Sequence, residues 1–266
     1  MKTALITGAS SGLGEVFANL FAKDGINVVI NASPRSEKKL QDLAKTLEKN
    51  YGINATAITL DLSDSGAARK LYEEIKSKKI QIDYLVNNAG YGIVGLKLQD
   101  YDPEIFQRML QLNVMTVSEL TMLYVPEMVQ RKSGRILNIS SIAGYVVPHG
   151  LEAGYAASKA YIVSLSEALA QDLTGTGVTC THLAPGPTRT AFFTTAGLEN
   201  QSRLNSIFMT ADVVAKAGYD AMNKGKATVM PGFTNKAMAF ITKFSPSKKL
   251  IAKTSGFYVD RGKYKK

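Results

Sequence analysis

Short apolar, β-branched runs alternate with amphipathic stretches along most of the 266-residue chain. The runs predict strands over 3–7, 26–32, 54–60, 82–87, 134–140, 177–183 and 227–230. Between them, apolar positions recur at helical spacing over 12–24, 36–50, 64–77, 102–131, 154–174 and 210–223. Strict strand–helix alternation predicts an α/β fold: one doubly wound, parallel, seven-stranded sheet with helices on both faces. The stretch 187–210, with Phe192, Phe193 and several threonines, breaks the rhythm and reads as a long loop or flap. Residues 233–254 (Phe233, Met238, Phe240, Ile241, Phe244, Leu250, Ile251) read as a short helical extension interrupted at Pro246. There is no repeat or linker, so one domain over 1–232 is expected, with 233–266 as its extension.

Composition changes this picture little. An apolar run of about 18 residues is missing, so no spanning helix is expected. Lys2 and Thr3 lead straight into a strand, which argues against a signal peptide. The single cysteine, Cys180, excludes an internal disulfide and lies in an apolar strand, where a buried, inert thiol is expected. Together these features predict a cytoplasmic protein.

Charge is more informative. The net +10 is concentrated in residues 224–266, which hold eleven basic residues and one acid, Asp260. The rest of the chain balances at 21 basic and 21 acidic residues. A basic tail suits solubility, and it also suits contact with an anionic membrane surface or nucleic acid. We expect no nucleic-acid function and give membrane contact second place to packing against the domain or a partner subunit.

The candidate chemistry begins at Gly8-Ala9-Ser10-Ser11-Gly12-Leu13-Gly14, between the first strand and the first helix. A glycine turn there brings backbone N–H groups and a helix N-terminus up to a pyrophosphate. An NAD-selective site places an acid near the end of the second strand. Here that strand runs into Asn31-Ala32-Ser33-Pro34-Arg35, with no acid before Glu37. Ser33 and Arg35 suit a 2′-phosphate, which favours NADP(H), with NAD as the alternative.

A second signal is Tyr155-Ala156-Ala157-Ser158-Lys159. Tyr and Lys four apart share a helix face, and an ammonium nearby is expected to lower the phenol pKa for proton transfer. Tyr72 and Lys76 have the same spacing in a charged helix and read as structural. Tyr155 differs in its company: Ser140-Ser141 ends a strand upstream, and Ala184-Pro185-Gly186-Pro187-Thr188-Arg189-Thr190 follows a strand downstream. Ligands bind at that carboxyl edge of open α/β sheets. The two histidines, His149 and His182, have no partners at metal-ligand spacing, so no metal site is expected. His182 reads as a satisfied core residue, and His149 as a possible border of the substrate.

Thr7–Gly14, Asn87-Asn88-Ala89-Gly90, Ser141, Tyr155-x-x-x-Lys159 and Pro185-Gly186, in that order over residues 3–232, resemble the short-chain dehydrogenase/reductase family in its compact, single-domain branch. Pro185–Thr190 with Phe192 is further similar to a bacterial subgroup often labelled DltE-like. The resemblance implies a Rossmann-type sheet, a nicotinamide cofactor, hydride transfer between a carbonyl and an alcohol, and a homodimer or homotetramer. It implies that Gly8, Ser10, Ser11, Gly12, Leu13 and Gly14 cradle phosphates, that Asp61 and Leu62 meet the adenine, and that Asn87, Ala89 and Gly90 flank a ribose. It also implies that Asn113 holds a relay water near Lys159. Ser141 would bind the substrate oxygen, Tyr155 would move its proton, and Lys159 would grip the nicotinamide ribose. The Thr188 backbone and the Thr190 hydroxyl would anchor the carboxamide, and Pro185 and Gly186 would also line the cofactor site.

In the family the serine commonly lies thirteen residues before the tyrosine, which here is Ile142; Ser141 is preferred, with one extra residue expected in 148–154. For the substrate, Tyr91, Ile93, Tyr145, Val147, His149 and Phe192 suggest an apolar lining and an apolar ketone or secondary alcohol. The leading reading is an NADP-dependent carbonyl reductase. The alternatives are an NAD-dependent alcohol dehydrogenase and a non-catalytic nucleotide-sensing or membrane-surface protein.

Overall fold

The computed structural model describes residues 1–146, 152–189 and 208–244. Six strands form most of one parallel sheet: β1 (Thr3–Thr7), β2 (Asn27–Ala32), β3 (Ala55–Thr59), β4 (Tyr84–Asn87), β5 (Gly134–Ile139) and β6 (Val178–Leu183). A two-residue pair, β7 (Thr188–Arg189) with β8 (Met209–Thr210), stands apart, and β9 (Thr228–Val229) completes the main sheet. The strand order is β3-β2-β1-β4-β5-β6-β9. It reverses between β1 and β4, the position where open α/β sheets open a crevice at their carboxyl ends.

The helices are α1 (Gly12–Lys23), α2 (Glu37–Tyr51), α3 (Ala67–Ser77), α4 (Pro103–Leu110), α5 (Val117–Gln130), α6 (Ala153–Asp172), α7 (Ala211–Asn223) and α8 (Phe233–Phe244). Alternate strand residues feed two cores. Ala4, Ile6, Val28 and Ile30 pack with α1, α2 and α7, while Leu5, Val29, Leu85 and Ile136 pack with α3 and α5. All of these strand residues are almost fully buried. Covering both faces explains why the strands read as near-continuous apolar runs.

The predicted strands and helices therefore stand, with ends moved by one to three residues. One expectation is corrected. The segment 102–131 is not a single helix: a π-helical turn, Gln111–Thr116, separates α4 from α5. The Asp102 carboxylate caps α4 by accepting from Glu104 N and Ile105 N, with Pro103 at the first helical position. The predicted loop 187–210 carries the β7–β8 pair at its ends. The extension is helical over Phe233–Phe244, and its second half lies outside the described residues.

Candidate active site

The glycine turn is shaped by contacts that exclude side chains. Gly8 and Gly12 have φ of +66° and +60°, in the left-handed region. A Cβ on Gly8 would lie 2.8 Å from Ala89 Cα, and one on Gly14 would lie 2.3 Å from the Gly8 carbonyl oxygen. Ser11 caps α1 without a side-chain hydrogen bond, so its hydroxyl leaves the first-turn N–H groups uncovered. Ser10 and Leu13 are half-buried beside them. Asn88 braces this turn: its Nδ2 donates to the carbonyls of Thr7 (2.9 Å) and Gly8 (3.1 Å). Thr7 Oγ1 accepts from the N–H groups of both Asn88 and Ala89. Asn88 is a positioning residue missing from the predicted site, although its place in Asn-Asn-Ala-Gly marked it.

Asn87 instead points into the sheet. Its Nδ2 donates to Asn138 Oδ1 (2.8 Å) and Thr121 Oγ1 (3.2 Å), tying β4 to β5 and α5. Cys180 is buried beside this network, and burial raises its thiol to about 12, in the range of an inert thiol.

Past β2, Ser33 and Arg35 lie in a short 3-10 turn, with Arg35 exposed and no acid among its neighbours in sequence before Glu37. Asp61 sits close to Arg35. Burial pushes its carboxyl up, but two hydrogen bonds from Ser63 and the charges of Arg108 and Arg35 outweigh this and hold it low. Arg108 reaches Asp61 at 3.0 Å and Asp64 at 2.8 Å. Sequence reasoning missed Arg108, which comes from α4, more than forty positions away. Leu62 is buried in the core, and its carbonyl accepts from Thr116 Oγ1 at 2.7 Å.

The second cluster forms where β5 ends. Ser140 is spent on the sheet, donating to the Leu183 carbonyl at 2.9 Å. Ser141 opens the following turn and accepts from Ala143 N at 3.2 Å, and its hydroxyl faces the Tyr155 phenol. Lys159 Nζ donates to the Ile139 carbonyl at 3.0 Å and lies 5.8 Å from the Tyr155 ring centroid. Gly144 allows the turn to approach α6: a Cβ there would meet the Lys159 carbonyl at 2.8 Å. Gly90 faces the same spot, 2.9 Å from Asn113 Oδ1 and 3.5 Å from Lys159 Nζ by its virtual Cβ.

Asn113 projects from the π-helical turn. Its Nδ2 donates to the Tyr91 carbonyl (2.8 Å) and to Ser158 Oγ (3.1 Å), and its Oδ1 accepts from Tyr91 N (3.2 Å). Ser158 Oγ in turn donates to the Tyr155 carbonyl at 2.7 Å.

The electrostatics differ from expectation. Burial raises Tyr155 to about 12 and lowers Lys159 to about 8. The lysine was expected to acidify the phenol, but desolvation of both groups dominates here. Ser141 acts in the lowering direction on Tyr155, and Glu152, itself raised to about 7 by burial, acts in the raising direction. Glu152 was not singled out from the sequence.

The predicted substrate residues divide. Ile93 packs with Tyr101, Met109, Ala143, Tyr155 and Ala156 in an apolar cluster against the tyrosine. Tyr91 leans on α4, donating to the Ile105 carbonyl at 2.9 Å, and is close to Asp61 and Arg108. Tyr145 turns toward β6 and α6: its hydroxyl lies 2.5 Å from His182 Nε2 and 3.4 Å from Glu167 Oε1. His182 is thus bonded at Nε2 and is a buried core residue, with the Ala227 carbonyl acting on its ring. Pro185 accepts from Ile142 N at 2.8 Å, and Gly186 faces Asn235, whose amide would lie 2.4 Å from its Cβ. Thr188 is buried at the start of β7. Val147, His149, Thr190 and Phe192 lie outside the described residues. Among the described residues, no group of three or more His, Cys, Asp or Glu is placed to hold a metal.

A braced glycine turn and a Ser–Tyr–Lys cluster thus share one sheet edge. A family model described as short chain dehydrogenase matches residues 2–201. The chain belongs to the short-chain dehydrogenase family.

The oxidoreductase UcpA of Escherichia coli is 36% identical over 192 residues, which cover 71% of this chain and 70% of that relative. The 3-oxoacyl-[acyl-carrier-protein] reductase FabG of Rickettsia conorii is 36% identical over 187 residues, 70% of this chain and 72% of the relative. A solved short-chain dehydrogenase from Sphingobium yanoikuyae in complex with NADPH has a TM-score of 0.79 and 28% identity, covering 88% of this chain and 89% of its own. A solved 7β-hydroxysteroid dehydrogenase has a TM-score of 0.85 and 25% identity, covering 96% of each chain. As a short-chain dehydrogenase, the protein is an oxidoreductase, and its seven-stranded sheet is the Rossmann-like sheet of that family.

Proposed function

We propose that the protein is an NADP(H)-dependent reductase that interconverts an apolar ketone or aldehyde and its alcohol. The observation that carries this reading is the grouping of Ser141, Tyr155 and Lys159, with Lys159 fixed on the Ile139 carbonyl, on the sheet edge that also bears the glycine turn. The residues present fit a nicotinamide dinucleotide. Gly8 and Gly14 leave a cradle that a Cβ would fill, and the start of α1 offers backbone donors to phosphate. When bound, the cofactor supplies the hydride.

The chain does the rest. Ser141 donates a hydrogen bond to the substrate oxygen as negative charge develops there. Tyr155, raised to about 12, keeps its proton at neutral pH and delivers it to that oxygen, which suits the reducing direction. Lys159, fixed on the Ile139 carbonyl, holds positive charge near the resulting phenolate and returns a proton to it. Asn113 and Ser158 hold Tyr91 and Tyr155 in register, so Asn113 is a positioning residue. The Ile93–Met109–Tyr155 cluster offers an apolar wall, which supports an apolar substrate.

Arg35 favours NADP(H), because it presents a guanidinium to a 2′-phosphate where no acid competes within its turn. The Sphingobium relative solved with NADPH supports the same choice. Asp61 favours the NAD alternative, since its ionised carboxylate lies near Arg35, and a 3-oxoacyl-[acyl-carrier protein] reductase from Brucella melitensis is solved with NAD. We read the protein as a cytoplasmic homodimer or homotetramer, with 1–232 as the nucleotide-binding domain and 233–266 as its extension. The test is a panel of carbonyls and alcohols with NADPH and NADH, followed at the nicotinamide absorbance band. Turnover of carbonyls with NADPH at higher kcat/KM supports the reading, and absence of turnover with every pair supports the non-catalytic alternative.

A further inference from the structure

Helix α8 wears its polarity inside out. Its buried side chains are the polar Asn235 and Thr242. Its exposed ones include Phe233 (85%), Phe240 (65%), Ile241 (60%) and Phe244 (65%). Positions 233, 240, 241 and 244 stand at i, i+7, i+8 and i+11, which is one stripe of an α-helix.

Packing fixes which face points inward. Asn235 Nδ2 donates to the Pro231 carbonyl at 2.6 Å, and its amide fills the space beside Gly186 and Gly232. Rotating the helix to bury the phenylalanines would pull this amide out of that space. On the outer face, the Phe240 and Phe244 rings pair at 4.7 Å between centroids, and Lys243 Nζ lies 5.9 Å from the Phe244 ring centre. Lys236 and Lys243 are exposed beside the stripe, and α8 contains no acid. In sequence, the segment 224–266 that contains it carries eleven basic residues against one acid.

We propose that this face docks on an anionic lipid surface. The apolar side chains enter the boundary between headgroups and acyl chains, and the lysines meet lipid phosphates. The charge selects lipid over a second copy of the chain, because face-to-face pairing of two α8 helices would bring two basic segments together. No helix among the described residues is long and apolar enough to cross a membrane, so the contact is peripheral. Since Asn235 abuts Gly186, docking also brings the edge after β6 close to the bilayer, where an apolar carbonyl would be dissolved.

The test is sedimentation of the full chain with vesicles of phosphatidylcholine alone and of phosphatidylcholine and phosphatidylglycerol in equal parts, at low and high salt. Binding to the phosphatidylglycerol vesicles is expected, weakened by salt. It is expected to fall about tenfold or more in Phe240→Ser/Phe244→Ser, and by less in Lys236→Gln/Lys243→Gln. Circular dichroism of each variant should match the parent. The proposal is overturned if the parent stays in the supernatant with both vesicles. It is also overturned if the phenylalanine variant binds as tightly as the parent, which would assign binding to the basic tail alone. Should the parent ignore vesicles while the phenylalanine variant sediments as a smaller assembly, the face belongs to a second copy of the chain.

Discussion

Tyr155–Lys159 and Tyr72–Lys76 are the same four-residue spacing used twice. Each ammonium lies over its tyrosine ring at nearly the same distance, 5.8 Å in the first pair and 5.9 Å in the second. Each phenol is pushed up to about 12. The causes differ. Tyr155 is raised chiefly by burial, while Tyr72 is raised first by its hydrogen bond to Glu127. Glu127 also takes Lys76, at 3.0 Å, so both members of the second pair are spent joining α3 to α5. Tyr155 sits at the start of α6, beside a serine hydroxyl at the end of a strand, and its lysine is bound to a backbone carbonyl. Neither the spacing nor the phenol's shift separates the pair we propose as reactive from the structural one. The third partner does: a neutral hydroxyl at the sheet edge in one case, a carboxylate between helices in the other.

The comparison breaks most readily at the phenols. Tyr155→Phe should cost about a thousandfold in kcat, as expected for loss of a general acid, with cofactor affinity held. Steady-state assays with any accepted carbonyl measure this, and near-parental turnover would overturn the assignment. Ser141→Ala should lower kcat about a hundredfold, through a lost hydrogen bond to developing negative charge.

The lysine offers a test in stability. Burial lowers Lys159 from 10.5 to about 8, so the folded protein releases this proton before the unfolded chain does. The unfolded state then binds more protons, and this group's contribution to stability rises as pH climbs from about 8 toward 10.5. The effect over that whole range is on the order of 3 kcal/mol. Tyr155 acts oppositely above pH 10, because its folded form holds the proton longer. Urea titrations from neutral pH to about pH 10 should show a positive slope that Lys159→Met removes. An unchanged slope would mean that the ammonium is better solvated than its burial implies.

Two smaller effects sharpen the contrast. Arg35→Ala should weaken NADPH about tenfold and leave NADH nearly unchanged, as read by nicotinamide fluorescence. Equal losses for both would remove Arg35 from 2′-phosphate recognition. Tyr72→Phe should cost about 1 kcal/mol in urea denaturation and leave turnover within about twofold.

Much of this was legible in the sequence because the two cores impose alternation on every strand. Ala4 and Ile6 go to one face and Leu5 to the other, so the apolar runs carry the sheet almost residue for residue. The sequence prefers Ser141 to Ser140 for the proposed site, and in the structure Ser140 bonds the Leu183 carbonyl. What was not legible depends on where side chains turn after the backbone is placed. Tyr145 follows the serine by four residues yet bonds His182, which arrives from β6. Arg108 meets Asp61 only because α4 passes over the end of β3. The opposing effect of burial on Tyr155 and Lys159 depends on solvent exclusion, which spacing does not report.

The π-helical turn Gln111–Thr116 acts as a phase shifter between two helices that would otherwise be one. Before it, α4 offers Arg108 to Asp61; within it, Asn113 reaches the Tyr91 backbone and Ser158; at its end, Thr116 reaches the Leu62 carbonyl. If the same six residues were wound as ordinary α-helix, everything after them would rotate by about 100°. Such a chain would have the better helix and the worse alignment, with α4 and α5 no longer able to face their partners together.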